Sequence, residues 1–249
     1  MNFSPHLLAL AAVLLSQAAS AGAAEFDSDG VPIQYSVRGE GSAVILIHGL
    51  YSSARLNWDL PGITSALARE HMVITLDNRG HGQSGKPQAE GEYGEKMVGD
   101  VIRLMDHLKI RKADIVGYSL GGMIALKLVA ENPQRVDSAI LGGMGWLRTG
   151  TPLQRIWQVA ENRNRVNVPA ACVHGIADLA LTEDEVRSIQ TPLTLIVGDL
   201  DPCRRMYVDP LRRVRPDWPV HIVENAGHLN CIGTPEFTAE LGRALDRAK

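Results

Sequence analysis

The chain alternates short, uninterrupted apolar runs with longer stretches of helical period, and that rhythm restricts the fold more than any other feature. Val44-Ile45-Leu46-Ile47 is such a run. Without polar residues at alternate positions, it fits a strand buried on both faces. Strands are expected at Ile33–Val37, Ala43–Ile47, Met72–Leu76, Asp114–Gly117, Ser138–Leu141, Leu193–Val197 and Val220–Val223. Between them, Met97, Val101, Leu104, Met105 and Leu108 trace the stripe of an amphipathic helix. Leu120–Ala130 and Phe237–Leu245 read the same way. The pattern predicts an α/β protein with a mostly parallel sheet of about eight strands and helices on both faces. A Gly-containing turn at Arg38–Gly41 predicts that Ile33–Val37 and Ala43–Ile47 form an antiparallel hairpin.

Residues 145–190 break the rhythm and offer no strand, so a small helical cap is expected there. The core then comprises residues 25–144 and 191–249. Met144, Trp146, Leu147, Leu153, Ile156 and Trp157 are candidates for the apolar underside of the cap.

Residues 1–24 contain no Asp, Glu, Lys or Arg, and Leu7–Leu15 is wholly apolar. Small residues follow at Ala19–Ala24. This is the pattern of a secretory signal peptide with cleavage near Ala21–Ala24, and it predicts export to the periplasm or the cell exterior. The remaining chain has no apolar run of spanning length, so no membrane span is expected in the mature protein. The 249 residues carry 25 basic and 28 acidic side chains, a formal net charge of −3. No block of like charges appears, so no nucleic-acid partner is expected.

The most specific chemical signal is Gly117-Tyr118-Ser119-Leu120-Gly121-Gly122. It follows a strand and opens a helix, the setting in which G-x-S-x-G holds a Ser hydroxyl outward on a sharp turn. The helix start supplies unpaired N–H groups near that hydroxyl. A Ser hydroxyl is a weak nucleophile and needs a base. Among eight His residues, His228 stands just past the final strand, on the sheet edge that Ser119 would share. His48 and His81 sit beside glycines in tight loops and are expected to hold loop shape. The third member should be a carboxylate that fixes the imidazole tautomer. Asp199 and Asp201 both follow the strand Leu193–Val197, and Asp77 competes from another loop.

These motifs together resemble the α/β-hydrolase fold superfamily, of the single-domain serine esterase, lipase and haloperoxidase-like kind. The resemblance runs from about Phe26 to Leu245. It covers His48-Gly49-Leu50, Asp77-Asn78-Arg79-Gly80-His81-Gly82-Gln83-Ser84, the Ser119 turn, Gly198-Asp199-Leu200-Asp201 and Gly227-His228. It implies a Ser119, Asp201, His228 triad, with Asp201 rather than Asp199 as the acid. It also implies an oxyanion hole from the Leu50 and Leu120 backbone N–H groups. The activity so implied is that of a carboxylesterase cleaving small or medium acyl esters through an acyl-enzyme, without cofactor or metal. A lactonase, a perhydrolase, a C–C bond hydrolase or lyase, and a non-catalytic ligand-binding protein are the alternatives on the same fold. Tyr51, Tyr118 and Trp146 are candidate pocket residues. Cys203 lies two residues past Asp201 and Cys231 three past His228. If the acid and base loops touch, an exported chain could bridge the two cysteines.

Overall fold

A computed structural model describes residues 23–160 and 167–247. The expected signal segment lies outside the described residues except for Ala23 and Ala24. Ala24 already opens the first strand.

Eight strands form one sheet: β1 (Ala24–Ser28), β2 (Val31–Arg38), β3 (Ser42–Ile47), β4 (His71–Leu76), β5 (Ala113–Tyr118), β6 (Val136–Gly142), β7 (Leu193–Gly198) and β8 (Val220–Val223). Their order across the sheet is β1-β2-β4-β3-β5-β6-β7-β8. The pairs β1–β2 and β2–β4 are antiparallel, and all others are parallel. The expected hairpin between β2 and β3 is therefore corrected. β2 folds back on β1, with Phe26 opposite Ile33, and β4 inserts between β2 and β3. Turn chemistry reports only that a chain reverses; which strand fills the neighbouring place is a long-range outcome.

The helices are α1 (Ile63–Leu67), α2 (Glu95–His107), α3 (Leu120–Glu131), α4 (Pro152–Val159), α5 (Ala170–Gly175), α6 (Glu183–Ser188), α7 (Asp209–Val214) and α8 (Pro235–Arg247). They cover both faces of the sheet because the strands are apolar on both. In β3, Ile45 and Ile47 join the core that includes Val101 and Leu104 of α2, while Val44 and Leu46 join the core that includes Leu241 and Leu245 of α8. α3 is buried nearly all round. Its Lys127 is held by Glu95 and Glu131. Residues 145–190 hold α4, α5 and α6.

The Asp77–Ser84 loop is tied into this frame by its own polar groups. Buried Arg79 donates from Nε and Nη2 to Asp100 of α2 at 2.7 and 2.6 Å. Asp77 accepts from the backbone N–H groups of Ala54 and Gln83, both at 2.8 Å. His48 is fixed between the Gly49 carbonyl, to which Nδ1 donates, and the Asn78 N–H, which Nε2 accepts. His81 donates from Nδ1 to the Arg79 carbonyl. His48 and His81 thus hold loop shape, as the sequence predicted, and Asp77, there a competing acid, organises its loop as well.

Candidate active site

Ser119 stands between β5 and α3 with φ 54° and ψ −119°. A non-glycine residue in this region is strained and needs surrounding structure to hold it. Glycines make the turn feasible: a Cβ on Gly121 would lie 2.0 Å from the Ile47 carbonyl oxygen. The His48-Gly49 loop also packs against the turn, since a Cβ on Gly49 would lie 3.1 Å from that of Ser119.

Three loops converge here from the carboxyl ends of β5, β7 and β8. The Ser119 Oγ lies 2.9 Å from His228 Nε2. The His228 Nδ1 lies 2.8 Å from Asp201 Oδ2. A carboxylate only accepts, so Nδ1 carries the imidazole proton and Nε2 is free to accept from the hydroxyl. Asp201 is buried, and its second oxygen accepts from the Cys203 N–H at 2.8 Å. Asp199 points elsewhere and accepts from the Ala226 N–H at 3.0 Å. That bond ties the acid loop to the base loop and draws the Asp199 carboxyl below its ordinary range.

A cavity of about 300 Å³ opens onto Ser119 and His228. Leu50 and Leu120 border it, and Leu120 is the first residue of α3, where the N–H has no helical acceptor. Tyr51 lines it as expected. Its wall also includes Met123, Met144, Trp157, Met206 and Tyr207. Met123 lies one helical turn past Ser119, a spacing already visible in the sequence. Met206 and Tyr207 belong to a π-helical turn, Arg204–Val208, which nothing in the composition announced. The Trp157 indole N–H donates to the Tyr207 hydroxyl at 3.2 Å.

Three expectations need correction. Tyr118 does not line the cavity: it is buried behind the turn and donates to the His228 carbonyl at 2.6 Å. Burial pushes its phenol well above the ordinary range. Trp146 is only 4% exposed, its indole N–H bonded to the Leu181 carbonyl. It packs under the insertion, while Ile156 on α4 faces outward at 57% exposure. The Cys203–Cys231 bridge is absent, and both residues are free thiols. The two loops meet at the carboxylate and imidazole, but the cysteines beyond them enter different cores. Cys203 packs against one core and Cys231 is buried in the other. Burial, with Asp201 nearby, pushes the two thiols up to about 12 and about 11.

The alpha/beta hydrolase fold family matches residues 42–164, which include the Ser119 turn. A dihydrolipoyllysine-residue acetyltransferase component of an acetoin cleaving system from Pseudomonas putida is 39% identical over 127 residues. That match spans 50% of this chain and 33% of the relative. A putative carbamate hydrolase from Variovorax paradoxus is 35% identical over 113 residues, spanning 45% of this chain and 42% of the relative. This chain thus covers less than half the length of either. Among solved structures, an enol-lactonase from Burkholderia xenovorans superposes with a TM-score of 0.73 at 24% identity, covering 90% of this chain and 100% of that one. A meta-cleavage product hydrolase from Pseudomonas fluorescens superposes with a TM-score of 0.71, also at 24% identity, covering 91% and 98%. With its strand order and helices on both faces, the chain has the α/β-hydrolase fold. Among the described residues, no helix is long and apolar enough to cross a membrane.

Proposed function

We propose that the protein is a serine hydrolase that cleaves carboxylic esters of small or medium, uncharged acyl groups. The observation that carries this reading is the Ser119–His228–Asp201 relay, at a helix start, opening on a mainly apolar cavity. Ser119 Oγ attacks the ester carbonyl while His228 Nε2 takes its proton. Asp201 holds the imidazole tautomer and stabilises the imidazolium. The N–H groups of Leu50 and Leu120 receive the oxyanion, each such donor lowering the barrier by about 3 kcal/mol. His228 then protonates the departing alcohol, and the Ser119 acyl ester remains. Water attacks that ester, His228 takes the water proton, and Ser119 is regenerated. Among the described residues, no Asp, Glu, Lys or Arg borders the cavity, and this part of the wall favours an uncharged acyl group.

A fluorophosphonate probe and a panel of p-nitrophenyl esters, lactones and C–C substrates test the reading. Labelling and ester turnover are expected in the wild type and lost in Ser119→Ala and His228→Ala. Ester turnover that survives Ser119→Ala would remove the covalent mechanism. Asp201→Asn is expected to keep the fold and lower kcat by about 10⁴-fold, as loss of the orienting acid does in such relays.

A further inference from the structure

We infer that Asp201, Cys203 and His228 form a latent site for a thiophilic divalent cation, with zinc the best fit, whose occupation switches the relay off. The switching depends on the hydrolase reading; the binding does not.

One ligating atom from each residue lies within 4.8 Å of the other two. Zinc bonds of about 2.0–2.3 Å place tetrahedral donors about 3.3–3.7 Å apart, so the three need close by no more than about an ångström or so. His228 Nδ1 and Asp201 Oδ2 start at 2.8 Å with a proton between them. A cation in that place parts them by about half an ångström. A mixed nitrogen, sulfur and oxygen set suits zinc, whereas magnesium and calcium take oxygen donors. The Cys203 N–H bond to Asp201 pins the short turn that brings the thiol beside the carboxylate. Cys203 and His228 both border the cavity.

The other three-donor grouping among the described residues, Glu70, His71 and Asp246, has exposed acids and no sulfur. His71 Nδ1 is there engaged by the Ser42 hydroxyl.

Proton and charge balance explain the switching. The cation takes the Nδ1 lone pair, so the imidazole proton moves to Nε2. The thiol proton leaves to solvent. Two cationic charges then meet one thiolate and one carboxylate, and nothing is oxidised or reduced. Ser119 now faces an N–H donor at Nε2 and has lost its base.

Cobalt(II) is the spectroscopic probe. Added to Ser119→Ala protein, which keeps all three donors, it is expected to give a thiolate-to-cobalt charge-transfer band. That band should vanish in Ser119→Ala combined with Cys203→Ser or Cys203→Ala, with thermal melts verifying the fold. X-ray absorption of the zinc-loaded wild type should show one sulfur among nitrogen and oxygen neighbours. Zinc is expected to abolish ester turnover reversibly, with chelator restoring it. Each variant is compared with its own metal-free rate, and Cys203→Ser should need about a hundredfold more zinc or beyond, since even outer-shell losses weaken metal sites 10–100-fold. A missing band, a band that survives loss of Cys203, or equal zinc sensitivity in Cys203→Ser overturns the site. A band without any ester turnover keeps the site and defeats the hydrolase reading. Turnover without a band does the reverse.

Discussion

The Tyr118 hydroxyl donates to the His228 carbonyl oxygen at 2.6 Å, so the residue before the nucleophile grips the loop that carries the base. Across 110 residues of chain, this bond sets where the imidazole stands relative to Ser119. Tyr118→Phe removes only that hydroxyl. It removes the phenol partner of a part-buried carbonyl, which should cost about 1 kcal/mol in urea unfolding. Ester kcat should fall more than KM changes, because the imidazole loses its fixed distance. An unchanged kcat would show that the loop holds its place without the bond.

Trp157 forms part of the cavity wall. It contributes an indole wall and holds Tyr207 through its N–H. Trp157→Ala should shift the acyl-length profile toward longer chains. For hydrophobic pockets a methylene is worth about 1–3 kcal/mol, so the shift should exceed tenfold in relative kcat/KM. Trp157→Phe, which keeps most of the ring, should move the profile less. The measurement is the ratio of long-chain to short-chain p-nitrophenyl ester turnover.

The Arg79–Asp100 pair is fully buried and carries much of the loop frame. Asp100 also accepts from the Ser28 hydroxyl at 2.5 Å, which ties the end of β1 to α2. Asp100→Ala removes the close ionic partner of a buried guanidinium and leaves it the Glu92 carboxylate at 3.5 Å. Denaturant unfolding should show a loss of about 3–5 kcal/mol. A loss below about 1 kcal/mol, the range of an exposed pair, would mean that the pair is not desolvated.

Acid should weaken the fold through the buried histidines. Burial, reinforced by the neighbouring His48 ring, lowers His81 to about 3. Burial also lowers His48. In the unfolded chain each binds its proton near pH 6.5. Below that value the unfolded state holds more protons than the native state, so stability falls as pH drops from about 6.5 toward 3. His81 alone can contribute up to about 5 kcal/mol over that window. Melting temperatures from pH 7 to pH 4 should therefore decline steeply, and less steeply in His81→Gln. Parallel curves for the two proteins would sink the attribution.

Much of this architecture could be read from residue order alone. The seven expected strands lie at β2 to β8; the central parallel ones were legible because they are apolar with little interruption, as in Val44-Ile45-Leu46-Ile47. β1 escaped notice because Ala24–Ser28 contains two acids and one large apolar residue, Phe26. Its strand character comes from pairing with β2 and from burial of Phe26, neither of which is local. Strand-end positions pointed to Ser119 and His228 and left Asp77, Asp199 and Asp201 as candidate acids; the resemblance chose Asp201, and the structure joins Ser119, His228 and Asp201 by two hydrogen bonds. Side-chain direction was not legible. Tyr118 and Trp146 neighbour cavity residues in sequence yet point into packing. Cys203 and Cys231 follow touching loops yet enter different cores.

The proposed reacting groups hang from the ends of β3, β5, β7 and β8, whereas Trp157 and Ile176 reach the cavity from residues 145–190. Part of the recognition surface is thus written in a stretch of polypeptide apart from the reacting groups. Diversifying that stretch by recombination can retune which molecules are accepted, while the engine beneath is inherited intact.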